Sequence, residues 1–269
     1  MRRREFSCRL LFALFALFLV AAPARLCSAE APSAAAARFN AYIQTLEGRL
    51  DQQHRADTGF IAGIADPQTA ARLREGELVV ENRTPADASA AGAVLHDWRG
   101  TIFIPGATAA ECERLLSDYS AYPRHYGPEI VAARVISHHG NQYQVEVRLR
   151  QKHVITVLID TYYDVVFGSL DARHGYSVSH GTRITEGTGA GASSQRAMAA
   201  AKGRGFLWGL DIYWSWEQRD GGVYMQMETV TQTRAIPFGL GWLVGPLIKH
   251  APRDSLEFTL RATRQALRK

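Results

Sequence analysis

Residues 206–234 read Phe206-Leu207-Trp208-Gly209-Leu210-Asp211-Ile212-Tyr213-Trp214-Ser215-Trp216-Glu217-Gln218-Arg219-Asp220-Gly221-Gly222-Val223-Tyr224-Met225-Gln226-Met227-Glu228-Thr229-Val230-Thr231-Gln232-Thr233-Arg234. Successive side chains of a strand point to opposite faces, so an alternating pattern sorts this stretch into two sets. Phe206, Trp208, Leu210, Ile212, Trp214 and Trp216 form one, against Leu207, Asp211, Tyr213, Ser215 and Glu217. Asp220-Gly221-Gly222 supplies a hairpin turn into a second strand, Val223–Arg234. One face of that strand is Val223, Met225, Met227, Thr229, Thr231 and Thr233, half apolar and half hydroxyl. Three tryptophans on one face need a large apolar volume to enter.

Working upstream, period-two segments continue at Val131–Ser137, Gln142–Arg150, His153–Phe167 and Tyr176–Glu186, the signature of an antiparallel sheet. Ile155, Val157, Ile159, Tyr163, Val165 and Phe167 share a face. In the next segment His180, Tyr176 and Thr182 fall with Val178 and Ile184, which reads as the inward set. Asp160 and Asp164 read as a solvated outer face. The glycine-, alanine- and serine-rich stretch from Gly187 to Gly205 reads as a loop.

Farther back, Val94–Pro105 is a strand with Val94, His96, Trp98, Ile102 and Ile104 on one face, and Glu77–Glu81 is a shorter one. Thr108 with Glu111 three residues on forms a capping box that opens a helix. A turn carrying Tyr119, Tyr122, Pro123, His125 and Tyr126 follows. Downstream, residues 238–269 read as helix in two pieces, because Pro246 and Pro252 interrupt the ladder. Strands followed by one long helix that must cover them define an α+β arrangement.

Outside this domain, Ala34 to about Arg55 has Phe39, Tyr42, Ile43, Leu46 and Leu50 at helical spacing, an arm with one apolar stripe. Thr58–Arg74 reads as a linker with a short helix beginning near Pro67. The first 29 residues have a basic start (Arg2, Arg3, Arg4), an apolar run from Leu10 to Ala22, and small residues after which cleavage is expected, at Ala24 or Ala29. The expected organisation is therefore a signal peptide at 1–29, a helical arm and linker at 30–75, and the main domain at 76–269, with the mature protein in the periplasm or secreted.

Removing residues 1–29 lowers the formal charge from +5 to +1. Without a basic footprint on the folded domain, nucleic acid is disfavoured as a partner. Cys112 would be the one cysteine left, so the fold must rest on its core and not on a disulfide.

The order of elements resembles the START-like or SRPBCC superfamily, the helix-grip fold of birch-pollen-allergen and polyketide-cyclase type, over residues 76–269. The stretches that carry the resemblance are Trp98-Arg99-Gly100 to Pro105-Gly106, the helix and Tyr-Pro turn after it, Trp214 to Tyr224, and Pro252-Arg253-Asp254-Ser255-Leu256-Glu257. It implies a curved antiparallel sheet wrapped around the C-terminal helix, and between them a hydrophobic ligand such as a lipid, a sterol-like compound, a quinone or a polyketide. The residues agree. Trp98, Tyr163, Phe206, Trp208, Leu210, Trp214, Met225 and Met227 would line the wall, and Thr229, Thr231 and His180 would orient the ligand. The same side chains could equally close-pack a core.

Signals for chemistry are few. No cofactor is called for: Gly187–Gly191 lacks the Lys and Ser/Thr of a phosphate loop. His138-His139 with His153 makes a poor metal site, and Cys112 in an amphipathic helix reads as packing. Three functions stand: a carrier or sensor of a hydrophobic small molecule; a cyclase or aromatase in which His180 or His96 polarises a ketone; and a module that docks on a membrane or partner through residues 39–50 or 242–248. Oligomeric state is open.

Overall fold

The structure is a computed structural model and describes residues 27–28, 32–56, 59–152, 156–188, 201–202, 207–235 and 241–268. The expected signal peptide and Phe206 lie outside those residues, save that Cys27–Ser28 forms a two-residue strand, β1, paired with Thr185 and Glu186 and with Ala201 and Lys202. A chain beginning at Arg25 would keep this strand; one beginning at Glu30 would lose it.

The arm is a helix, α1 (Ser33–His54), and α2 (Pro67–Arg74) starts where proline belongs, in the first turn, with the Asp66 carboxylate accepting from the backbone N–H groups of Gln68 and Thr69. Then come β2 (Val79–Asn82), β3 (Ser89–Ala90) and β4 (Ala93–Pro105). Helix α3 (Ala109–Ser117) opens on the expected capping box: Thr108 accepts from the Glu111 backbone N–H, and Glu111 accepts in return from that of Thr108. A 3₁₀ turn (Tyr119–Ala121) and α4 (Tyr122–His125) lead into β5 (Ile130–His139), β6 (Gln142–Lys152), β7 (Thr156–Asp171) and β8 (His174–Thr188). After β9 (Ala201–Lys202), β10 (Leu207–Arg219) and β11 (Gly222–Arg234) form the hairpin, and α5 (Gly241–Leu267) ends the chain. The main sheet order is β2-β4-β11-β10-β8-β7-β6-β5, antiparallel throughout.

Helix α5 is one helix, not two. Each proline removes a single bond from its ladder, and burial of Leu256 and Leu260 against β4 offsets that loss. Gly100 makes the contact close: a Cβ there would run into the Leu260 side chain. Ile102, Ile104, Trp214, Trp216, Met225 and Met227 belong to the same core as Leu256 and Leu260, so one face of the sheet grips α5. This is the helix-grip α+β fold.

The opposite face is covered as well. Phe39, Ile43, Leu46 and Leu50 of α1 form a second core with Leu95, Tyr213 and Val230. A third, smaller core joins Phe60, Ile61 and Leu73 to Phe103 and Tyr224. The central strands are thus buried on both faces, which explains why β11 is buried from Gly222 to Thr233 although its sequence alternates.

Candidate ligand site on the concave face

On the face that grips α5, the ladder of β11 with β4 sets Thr229 opposite Trp98 and Thr231 opposite His96. On the other side of β11, Thr229 faces Ile212 and Thr231 faces Leu210 of β10. Residues two apart on a strand lie about 7 Å from one another, and partners on adjacent strands about 5 Å, so His96, Trp98, Thr229 and Thr231 occupy one compact patch. Thr229, Thr231 and His96 are each more than nine-tenths buried; Trp98 is half-buried. Trp98 Nε1, His96 Nε2 and the two threonine hydroxyls have no hydrogen-bond partner among the described residues. Buried polar atoms are nearly always paired, and an unpaired one costs about 1–3 kcal/mol.

The strands that form the patch present no charged side chain among their inward described residues. Along β4, β10 and β11 the inward described residues are apolar, hydroxyl or glycine apart from His96 and Gln218, whose amide oxygen accepts from the Ala109 N–H of α3, and burial lowers the pKa of His96, favouring the neutral ring. Arg253, whose guanidinium is 5.9 Å from the centre of the Trp98 ring, is ion-paired to Glu257 at 2.9 Å. Toward α3, Met227, Met225 and Trp214 are buried in the core, and Tyr163 joins them from β7.

Beside Trp214 and Trp216 the inward residues of β8 are small. Trp214 faces Ser177, Ile212 faces Ser179, and Trp216 faces Gly175, where a Cβ would meet the indole ring at 2.5 Å. These serines and this glycine were not anticipated, because the larger residues of β8 were read as inward.

Two expected positions fall elsewhere. His180 points to the outer face: its Nδ1 is 3.1 Å from Asp211 Oδ2 and its Nε2 3.2 Å from Glu47 Oε1 on α1. Those carboxylates raise its pKa, the Asp211 hydrogen bond most. A register shift in the β7–β8 pairing passes over Thr182 and reverses the facing, so Ile184 lies in the concave core while Val178 packs under α1. Trp208 falls at another irregularity, between Leu207 and Gly209 of β10, and Leu207 takes the place against the concave core that Trp208 was expected to fill. Gly209 faces α1, where a Cβ would meet the Phe39 ring at 2.9 Å.

Other expectations change too. Asp160 is buried and takes two bonds from Arg148, at 2.6 and 3.0 Å, instead of facing water. The turn at 119–128 is tied down, with the Tyr122 hydroxyl donating to the Leu116 carbonyl oxygen and the Tyr126 hydroxyl 3.1 Å from that of Thr263 on α5. Burial pushes the Cys112 thiol up to about 12, which makes it a poor nucleophile.

The fold and this face together define a helix-grip domain with an uncharged, partly unsatisfied polar patch under its C-terminal helix. No family profile matches the chain, and no curated protein is similar to it in sequence. Solved structures that align with the chain include a STAR-related lipid transfer protein from Xanthomonas axonopodis, at 15% identity and a TM-score of 0.45 over 67% of this chain and 96% of that one. The Zhui aromatase/cyclase from Streptomyces sp. R1128 aligns at 13% identity and 0.42 over 64% and 93%, and human STARD10 at 9% and 0.41 over 76% and 80%.

Proposed function

We propose that this protein binds a hydrophobic small molecule between the concave face and α5, as a carrier or sensor in the cell envelope. The observation that carries the proposal is the patch of His96, Trp98, Thr229 and Thr231: hydrogen-bonding capacity left unmet on a buried, otherwise apolar wall is what a ligand with a small polar part would complete. Placement in the envelope is supported by the layout of residues 1–29.

The cyclase reading loses one of its two histidines, since His180 is engaged on the outer face by Asp211 and Glu47. The docking reading loses its first surface, because Phe39, Ile43, Leu46 and Leu50 are already occupied against the sheet. The side chains of residues 242–248, its second surface, lie outside the described residues.

Thermal unfolding of the full chain against a panel of lipids, sterols and quinones tests the reading, since a ligand that binds only the folded state raises the melting temperature with its concentration. At least one apolar member should raise it in a saturable way. A panel that leaves it unmoved contradicts the proposal.

A further inference from the structure

The proposed ligand is given a chemical class by what its polar contacts can and cannot do. Trp98 Nε1 only donates. Each threonine hydroxyl can donate one hydrogen bond and accept others, and His96 Nε2 can do either as a neutral ring. A single ligand oxygen with two lone pairs can accept from two members of this set, and the hydroxyls, which both donate and accept, can link the others to it. A buried anion does not suit the set: carboxylate or phosphate taken out of water needs a paired cation, no inward described residue of β4, β10 or β11 supplies one, and Arg253 of α5, near Trp98, is already ion-paired to Glu257. An ammonium group meets the same objection, because those strands present no inward carboxylate there.

Asp97 and Glu228, whose Oδ1 and Oε2 also lack partners among the described residues, belong to the opposite face. There Asp97 accepts from the Tyr42 hydroxyl at 2.6 Å and Glu228 from Arg49 at 2.5 Å, both from α1. Alternation keeps these acids out of the concave patch although they are neighbours of it in sequence.

Resting on the ligand reading just given, we infer that His96, Trp98, Thr229 and Thr231 clasp the carbonyl oxygen of an uncharged apolar ligand, a ketone, quinone or ester. Leu210 and Ile212 flank that oxygen from β10. Fatty acids and anionic phospholipid headgroups are thereby selected against, because the strands offer donors without charge and the nearby Arg253 is neutralised by Glu257.

The test is a titration of the full chain, followed by tryptophan fluorescence, with three probes of one twelve-carbon chain: dodecane, 2-dodecanone and dodecanoate. 2-Dodecanone should bind roughly tenfold or more tightly than dodecane, the effect of one good buried hydrogen bond, and dodecanoate should bind no better than dodecane. Thr229→Val with Thr231→Val, which leaves only Trp98 and His96, should cut the advantage of the ketone over the alkane severalfold, and Thr229→Ser with Thr231→Ser should restore it. The serine pair controls for misfolding. Equal affinities for ketone and alkane, or dodecanoate as the tightest probe, overturn the carbonyl assignment while leaving hydrophobic binding intact. Failure of all three to bind overturns both.

Discussion

Thr231 sits directly opposite His96 in the β11–β4 ladder, and neither its hydroxyl nor His96 Nε2 has a hydrogen-bond partner among the described residues. A buried hydroxyl without a partner is a liability in the empty protein. Replacing Thr231 or Thr229 with valine, nearly the same shape, should therefore stabilise the delipidated protein by up to about 1 kcal/mol each in urea unfolding. A loss of that size would mean that the hydroxyls are satisfied in solution.

Gly175 backs the Trp216 indole, with room for hydrogen but not for a methyl group. Both sit in the packed part of the concave face, so Gly175→Ala should cost about 1–3 kcal/mol by overpacking. A neutral result in chemical denaturation would show that the Trp216 ring is free to shift.

Arg49 of α1 donates to Glu228, whose side chain is 3% exposed and whose other oxygen has no partner among the described residues. Removing the arginine strands the carboxylate, and because Arg49 is itself one-third exposed, Arg49→Ala should cost about 1–3 kcal/mol and not the full amount for a buried pair. Glu228→Gln, which removes the charge, should cost less. The reverse order in urea unfolding would show that Glu228 reaches water.

The docking of α1 should weaken as pH rises through neutrality. Burial, then the nearby Glu228 charge, pushes the Asp97 carboxyl up to about 7, and the Asp211 hydrogen bond raises the His180 pKa. Both groups hold protons more tightly in the folded state than in the unfolded chain, so each contributes stability at low pH that is lost as pH climbs through its folded pKa. Burial lowers the His54 pKa to about 4, and its contribution has the opposite sign: present above about 6.5, lost as pH falls toward 4. Between pH 6.5 and 8 His54 and the likewise lowered His96 add only the last part of their rise, while the first two groups lose their contribution, and stability should fall. Urea unfolding at both ends of that window checks it, and Asp97→Asn should flatten the fall; a rise in stability over the window would contradict the assignment.

Most of the sheet was legible from period-two segments, the Asp220-Gly221-Gly222 turn and the Thr108 capping box, because each is a local rule that the structure obeys. The site was legible only in part. Trp98, Leu210, Thr229 and Thr231 come together as expected, since nothing interrupts the alternation of β4 and β11 between them. His180 and Trp208 were misplaced because a single skipped residue reverses the facing of everything beyond it, and local sequence does not mark where a ladder will slip. Val178 compounded the error: an apolar residue marks a buried face, but with α1 packed behind the sheet there are two buried faces to choose from. The unbroken α5 was missed for a related reason, since the burial of Leu256 and Leu260 that offsets its prolines is set by the sheet and not by the helix.

Native mass spectrometry of the full chain, purified without detergent from cells that normally make it, tests the central claim most directly. A fraction of the protein should carry an additional mass that is released as an uncharged, solvent-extractable compound, and that mass should fall away in the Thr229→Val, Thr231→Val pair. Protein that carries no such mass, and acquires none when offered apolar carbonyl compounds, would show that Trp214, Met225, Met227 and their neighbours fill the space beneath α5 and do not enclose a ligand.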